Sequence, residues 1–294
     1  MILIDGKKTS TDIKEDLAQK IDDLNKQGKK IPGQVTIIVG ENPASKVYVN
    51  SKHKTCQKIG MKSHIEELPE DISEAGLLEV IEKYNKSEEF HGILIQLPLP
   101  KHIDEEKVIM AIDPAKDVDG FHPVNIGNLL IGRDTYIPCT PYGVVELIKR
   151  YEIETAGKHV VVVGRSNIVG KPVANLLVQK AEGANAIVTI CHSAAKDLTR
   201  YTKDADILIA AVGIPNFIKA DMVKEGVAVL DVGINSIDAP DSPKGYKIVG
   251  DVDFDSVSEK ASHITPVPGG CGPMTIAMLL QNTYKAYLKL EKVN

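Results

Sequence analysis

The sequence predicts an α/β fold in two domains, and three observations carry that expectation. Apolar runs of strand length alternate with amphipathic stretches of helical spacing along the chain, the pattern of a parallel sheet with helical crossovers. A chain of 294 residues can bury two sizeable cores. A second strand–turn–helix series begins at residue 159, after a Gly-rich, irregular stretch.

In chain order, residues 2–4 read as a short strand. Ser10 is placed to cap a helix whose apolar residues Ile13, Leu17, Ile21 and Leu24 recur at helical spacing, with Gly28 past its end. Residues 35–39 form a buried-type strand. Asn42 then caps free backbone N–H groups, Pro43 suits the first helical turn, and Gly60 stops that helix. A strand near 61–66, a helix from Ser73 to about Tyr84, a strand over 92–97 and a helix near 104–111 follow. The sequence from there to Pro138 reads as loop and irregular structure. Thr140 is placed as an N-cap, and Pro141 as a first-turn proline, of a helix that runs to about Tyr151 and leads into the second domain. That domain has strands over 159–163, 187–190, 207–211 and 227–231, and a turn over 240–245 at the tip of a hairpin. The loop over 264–275 opens a last helix, which extends to about Leu290 and returns to the first domain. The expected division is 1–140 plus 274–294 against 141–273.

Composition removes several function classes. A net charge of −5 gives no reason to expect nucleic acid or an anionic membrane as a partner. Cys56, Cys139, Cys191 and Cys271 form neither a Cys-x-x-Cys pair nor a zinc spacing, so free thiols in a reducing cytoplasm fit best. The eight His form no His-x-x-x-His, and no metal site is expected. The first residues carry Asp5 and two Lys without an apolar core behind them, so no signal peptide is expected. No apolar run is long enough to span a bilayer.

The strongest ligand signal is Val163-Gly-Arg-Ser-Asn-Ile-Val-Gly-Lys-Pro172. An apolar strand enters a glycine turn and a helix leaves it, so backbone N–H groups and the helix N-terminus converge where a pyrophosphate can sit. This makes the second domain Rossmann-like. At the end of the next strand, an NAD-preferring fold places an acid on the ribose hydroxyls. Here the residues are Cys191-His192-Ser193, with no acid before Asp197. Arg165 and Ser193, with help from His192, suit a 2′-phosphate, so NADP is expected, with NAD the alternative.

Four further features are more open. Tyr48 and Lys52 share one helix face; in a dry cleft such a Lys moves protons near neutral pH, and on the surface it is merely solvated. Gln96 ends an apolar strand, where it either caps the strand or points into a cleft. Asp117 and Asp119 suit a solvated turn or a nitrogen heterocycle better than a metal. The residues over 265–275 hold three Gly and three Pro, which suits a stiff loop against a ligand or any irregular connection. Cys271 within them reads as a packing residue.

Taken together these residues resemble one family. Tyr48-x-x-x-Lys52, Gln96-Leu-Pro-Leu-Pro100, Lys116-Asp-Val-Asp-Gly-Phe-His122, Pro138-Cys-Thr-Pro141, the glycine turn, Asp231-Val-Gly-Ile-Asn235 and Thr265-Pro-Val-Pro-Gly-Gly-Cys-Gly-Pro-Met-Thr275 occur in the order found in bifunctional methylenetetrahydrofolate dehydrogenase/cyclohydrolases of the bacterial type. The resemblance covers essentially the whole chain. It implies a folate-binding catalytic domain, an NADP-binding domain and two reactions. A hydride passes from 5,10-methylenetetrahydrofolate to NADP, and water then opens the methenyl cation to 10-formyltetrahydrofolate.

By the same resemblance Lys52 handles the proton of the hydrolysis, Gln96 tunes it, Tyr48 positions the folate and Asp119 holds the pterin ring. Val267, Pro268 and Gly269 help to enclose the substrate. Gly164, Arg165, Ser166, Ser193 and Ile234 contact NADP, with Ile234 near the nicotinamide and Thr140 close by. Homodimers joined through the cofactor domains are also implied. One departure is Ala194, where many relatives carry a basic residue.

Three rivals are weighed against this reading. Short-chain dehydrogenases carry Tyr-x-x-x-Lys after the glycine turn, whereas here it comes far before it. A shikimate-type dehydrogenase shares the two-domain order but has no need of Asp117, Asp119 or the last Pro/Gly stretch as written. A nucleotide-sensing module has no need of Lys52, Gln96 and Asp119 together.

Overall fold

The structure is a computed structural model that describes residues 1–242 and 245–293. In chain order its elements are β1 (Ile2–Leu3), α1 (Gly6–Lys26), β2 (Gly33–Val39), α2 (Pro43–Lys58), β3 (Lys62–Leu68), α3 (Glu74–Asn85), β4 (Gly92–Ile95), α4 (Glu105–Ala111), α5 (Pro123–Leu130) and α6 (Cys139–Arg150). Then follow β5 (His159–Val163), α7 (Gly170–Leu177), β6 (Ile187–Cys191), α8 (Thr199–Thr202), β7 (Ile207–Ala210), β8 (Ala228–Asp231), β9 (Asn235–Asp238), β10 (Tyr246–Val249), α9 (Phe254–Ser258), β11 (His263–Ile264) and α10 (Cys271–Leu290). The two-domain α/β fold expected from the sequence is borne out. The chain divides into two compact units, one of Met1–Thr11, Leu129–Arg133 and Pro138–Met278, the other of Asp12–Asn128, Asp134–Ile137 and Leu279–Asn294.

The unit that holds most of the N-terminal half is built on a parallel sheet in the order β3-β2-β4. Strand β2 is buried along its whole length, as an apolar run in the middle of a parallel sheet must be. Its core gathers Val35, Ile37, Leu77, Ile81, Ile93, Val108 and Ile112 from the sheet, α3 and α4. The later part of α10 belongs to this unit. There Thr283 Oγ1 donates to Gln34 Oε1 at 3.1 Å and Asn282 Nδ2 to Val118 O at 2.9 Å, the return of the last helix that the sequence predicts.

The second unit holds a parallel sheet in the order β1-β11-β8-β7-β5-β6, with an antiparallel β9–β10 hairpin. The four consecutive valines of β5, which lies between β7 and β6, are buried. The turn expected over 240–245 joins β9 to β10; Pro243 and Lys244 in it lie outside the described residues.

Local expectations fail in four places. Ser10 does not cap α1, which starts four residues earlier at Gly6; Asp5 Oδ1 takes the Lys8 N–H at 2.8 Å, and Ser10, inside the helix, donates to Pro273 O at 2.9 Å. Thr140 is not the N-cap of α6 either. Pro138 holds that place without a side-chain bond, and Thr140 Oγ1 pairs with Thr275 Oγ1 at 3.0 Å. The stretch read as irregular before Pro138 contains α5. The last helix begins at Cys271, so only the first half of the Pro/Gly stretch is a loop.

Candidate functional site

In the first-described unit the sequence builds a rigid α2. Asn42 Oδ1 accepts the Ser45 N–H at 3.1 Å, and Pro43 stands in the first turn. Tyr48 and Lys52 lie one helical turn apart, the Tyr 55% exposed and the Lys half-buried. Gln96 is the first residue past β4, and its N–H still bonds to Ile37 O at 2.9 Å. Its side-chain NH₂ donates to Leu97 O at 2.7 Å, which fixes the amide so that Oε1 faces Lys52; Lys52 Nζ donates to it at 3.1 Å. The helix and the strand end thus bring Lys52 and Gln96 together.

The two carboxylates of the next loop differ. Asp117 is buried and accepts the N–H groups of Gly120 at 3.1 Å, Phe121 at 3.3 Å and His122 at 2.8 Å, and Asn125 Nδ2 at 2.8 Å. It closes the turn from within, so for Asp117 the solvated-turn expectation is wrong: four donors replace its water. Asp119 is half-buried. The loop runs beside β4, with Asp117 bridged to Ile93 and Lys116 O accepting the Ile93 N–H at 2.9 Å.

In the other unit, the sheet register collects the remaining residues at one edge. Val163 pairs with Cys191 and Ala210, and Ala210 with Asp231, so the turns after β6, β5, β7 and β8 emerge side by side. Ser193, then Gly164, Arg165 and Ser166, and finally Ile234 leave the sheet there. Gly164 has φ +127°, and a Cβ on it would overlap Ala211 O; a Cβ on Gly170 would overlap Gly164 O. Only glycine fits this turn, because the missing side chains let neighbouring stretches of backbone pass against each other. Ser166 Oγ accepts the N–H groups of Val169 at 3.1 Å and Gly170 at 3.3 Å, which holds the start of α7. Arg165, Ser193 and Ile234 are exposed at this edge. Val267, Pro268 and Gly269 belong to the same unit; Gly269 has φ +115°, and its carbonyl accepts the Lys7 N–H at 2.8 Å. Cys271 is buried, and burial pushes its thiol up to about 12, which suits a packing residue.

Sequence reasoning missed two carboxylates at this edge, Asp231 and Asp251. Asp231 was seen only as part of a motif. Both are buried and bond to backbone N–H groups. Burial, together with the neighbouring Asp251, raises the Asp231 carboxyl to about 6.

Two family models cover this chain. The catalytic domain of tetrahydrofolate dehydrogenase/cyclohydrolase matches residues 4–119, and the NAD(P)-binding domain of the same family matches residues 138–291. The chain belongs to the tetrahydrofolate dehydrogenase/cyclohydrolase family. A bifunctional protein FolD of Chlorobium luteolum is 57% identical over 289 residues, 98% of each chain. The FolD methylenetetrahydrofolate dehydrogenase/cyclohydrolase of Campylobacter jejuni, a crystal structure, is 50% identical with a TM-score of 0.92, over 98% of this chain and 99% of that one. The FolD of Trypanosoma brucei, solved with an NADP cofactor and an inhibitor, is 38% identical with a TM-score of 0.92, over 98% of both. Likeness to shikimate dehydrogenase structures is confined to the fold, at 14% identity. The second half of the chain is thus the family's NAD(P)-binding domain, and the glycine turn at Gly164 lies within it.

Proposed function

We propose that this chain is a bifunctional enzyme of one-carbon metabolism. It oxidises 5,10-methylenetetrahydrofolate with NADP and hydrolyses the resulting methenyl cation to 10-formyltetrahydrofolate. The observation that carries the reading is the match of both family domains along one chain at 57% identity to a bifunctional relative. The backbone suits a dinucleotide, because an apolar strand runs into a glycine turn at Gly164 and a helix leaves it at Gly170. NADP, when bound, supplies the hydride acceptor. Gly164 and Ser166 hold the turn that cradles its diphosphate, Arg165 and Ser193 take the 2′-phosphate from adjacent strand ends, and Ile234 and Thr140 border the nicotinamide.

In the hydrolysis, water adds to the methenyl carbon and passes one proton to the Lys52 amine. The remaining hydroxyl becomes the formyl oxygen as the bond from carbon to nitrogen 5 breaks and that nitrogen takes the hydroxyl proton. The methenyl carbon is already electrophilic, so the chain has to supply a proton acceptor rather than a Lewis acid. Gln96 Oε1, 3.1 Å from Lys52 Nζ, sets the direction of that amine. Tyr48 offers an exposed ring for stacking on the folate, Asp119 accepts the pterin N–H groups, and Val267, Pro268 and Gly269 close over the substrate.

The protein acts on tetrahydrofolate derivatives as a homodimer. The outermost strand β6 supports this, with Ile187 65% and Ile190 41% exposed beside an unpaired edge. Four buried cysteines, with no disulfide among the described residues, fit the reducing cytoplasm. Among the described residues no helix is long and apolar enough to cross a membrane.

The test is a spectrophotometric assay with methylenetetrahydrofolate and each nicotinamide cofactor. NADPH and methenyl absorbance are expected, with a slower reaction on NAD. Neither signal with either cofactor would defeat the reading and leave a binding module. Light scattering on the purified protein checks the dimer; a monomer mass would refute it.

A further inference from the structure

Asp251 follows the β9–β10 hairpin and is fully buried, yet its carboxylate accepts four N–H groups. Oδ2 takes Val212 N–H at 2.6 Å and Gly213 N–H at 2.9 Å; Oδ1 takes Ile214 N–H at 3.0 Å and Asn235 Nδ2 at 2.9 Å. The first three donors belong to the turn after β7, and the fourth, Asn235, opens β9. A second carboxylate locks the arrangement. Asp231 Oδ1 accepts the N–H groups of Gly233 at 2.9 Å and Asp251 at 3.0 Å, and Oδ2 accepts Val252 N–H at 2.9 Å. Space is cut to fit, because a Cβ on Gly233 would overlap the Asp251 carboxylate and one on Gly250 would overlap that of Asp231.

A fully buried carboxylate is costly unless its lone pairs are filled, and a side-chain amide has only one accepting atom. Four donors converging on two oxygens therefore require Asp at 251. The donors are also placed where ligands of open α/β sheets bind, at the carboxyl ends of strands. Ile234 stands between Gly233, bonded to Asp231, and Asn235, bonded to Asp251. Each neighbour of the residue expected at the nicotinamide is therefore tied to one of the two carboxylates.

We propose that Asp251 is a positioning residue of the dehydrogenase reaction. It fixes the backbone of residues 212–214 and the Asn235 side chain, and so sets the wall, Ile234 included, against which the dinucleotide lies. The inference rests on the functional reading above and adds to it a group that touches neither substrate nor cofactor.

The experiment compares full-length wild type with Asp251→Asn and Asn235→Ala. Dehydrogenase kcat and KM for NADP, calorimetric Kd for NADP, cyclohydrolase rate on methenyltetrahydrofolate and the melting temperature are measured on each. Loss of one bond to a buried charge is expected to raise the NADP Kd and KM by about tenfold in Asn235→Ala, and by more in Asp251→Asn. The cyclohydrolase, which depends on Lys52 in the other unit, is expected to stay within about twofold of wild type in Asn235→Ala, well below the tenfold of a lost interaction. Should Asp251→Asn fail to fold, Asn235→Ala decides alone. Unchanged NADP parameters in the variants, or equal loss of both activities in Asn235→Ala, overturns the inference. A wild type that neither binds NADP nor forms NADPH overturns the functional reading instead.

Discussion

The two candidate sites are built from opposite materials. In the unit of α2 and β4, function falls to side chains: Lys52 and Gln96 come from different elements, are half-buried, and are joined by one hydrogen bond. In the unit of β5 to β8, it falls to backbone. Glycines let the backbone pack close, N–H groups are tied down, and the charged groups that do the tying, Asp231 and Asp251, are buried. Proton transfer needs a group that reaches the reacting atoms and can change its charge. Holding a dinucleotide needs a surface that does not change at all. The same sheet-end geometry thus serves both purposes, with mobile chemistry on one and a fixed frame on the other.

That contrast can be broken by substitution, and a large effect is expected at the frame. In Gly164→Val a branched side chain would overlap Ala211 O at a backbone φ of +127°. Overpacking of that kind is expected to weaken NADP binding about a hundredfold, measured by calorimetry, while methenyl hydrolysis continues. Next in size is Gln96→Leu, which removes the acceptor of Lys52 Nζ. Cyclohydrolase is expected to fall by about tenfold to a hundredfold, as for a lost bond to a charged group, with the NADP Kd unchanged. Arg165→Ala is expected to weaken NADP by about tenfold and leave NAD nearly as it was. Equal loss for both cofactors would remove Arg165 from the 2′-phosphate.

The smallest expected effect is on stability against pH, and it has opposite signs in the two units. His91 is buried, and its Nδ1 accepts Gly33 N–H at 3.0 Å, while Nε2 lies 3.3 Å from Glu291 Oε1. Burial lowers its pKa, with Lys116 and Lys30 adding to this and Glu291 opposing it. The folded state therefore resists protonation, and the stability His91 contributes is present above 6.5 and lost as pH falls below it. Asp231 is raised from 3.8 to about 6, so its contribution is present at low pH and lost as pH rises through that window. In melting curves from pH 4 to 6.5, the advantage of wild type over His91→Phe should grow with pH, and its advantage over Asp231→Asn should shrink. Parallel curves would contradict both assignments.

The fold was legible because burial leaves a pattern. The valines of β5 and the apolar run of β2 sit where both sheet faces are covered. Of the caps read from residue type, Asn42 holds, whereas Ser10 and Thr140 do not, because their hydroxyls bond to Pro273 O and Thr275 Oγ1 instead. Helix α5 was not, because Asn125, Gly127 and Asn128 are poor helix formers. Tertiary bonds override that propensity: Asn125 donates to Asp117 and accepts from Thr135 Oγ1 at 2.7 Å. The start of α1 was hidden because its first turn is polar and the apolar spacing begins only at Ile13. In the candidate sites, Lys52 and Gln96 could be named from residue type. Asp251 could not, since three of its four donors are backbone N–H groups, which carry no residue signature.

The central claim is that hydrolysis depends on Lys52 while hydride transfer depends on a frame in the other unit. It is tested most directly by following methenyl absorbance in Lys52→Met supplied with methenyltetrahydrofolate, with NADP affinity measured on the same preparation. Loss of a proton-transfer group is expected to slow decay of the absorbance at least about a hundredfold, with the NADP Kd at its wild-type value. Decay at the wild-type rate, or joint loss of hydrolysis and NADP binding, would contradict the account.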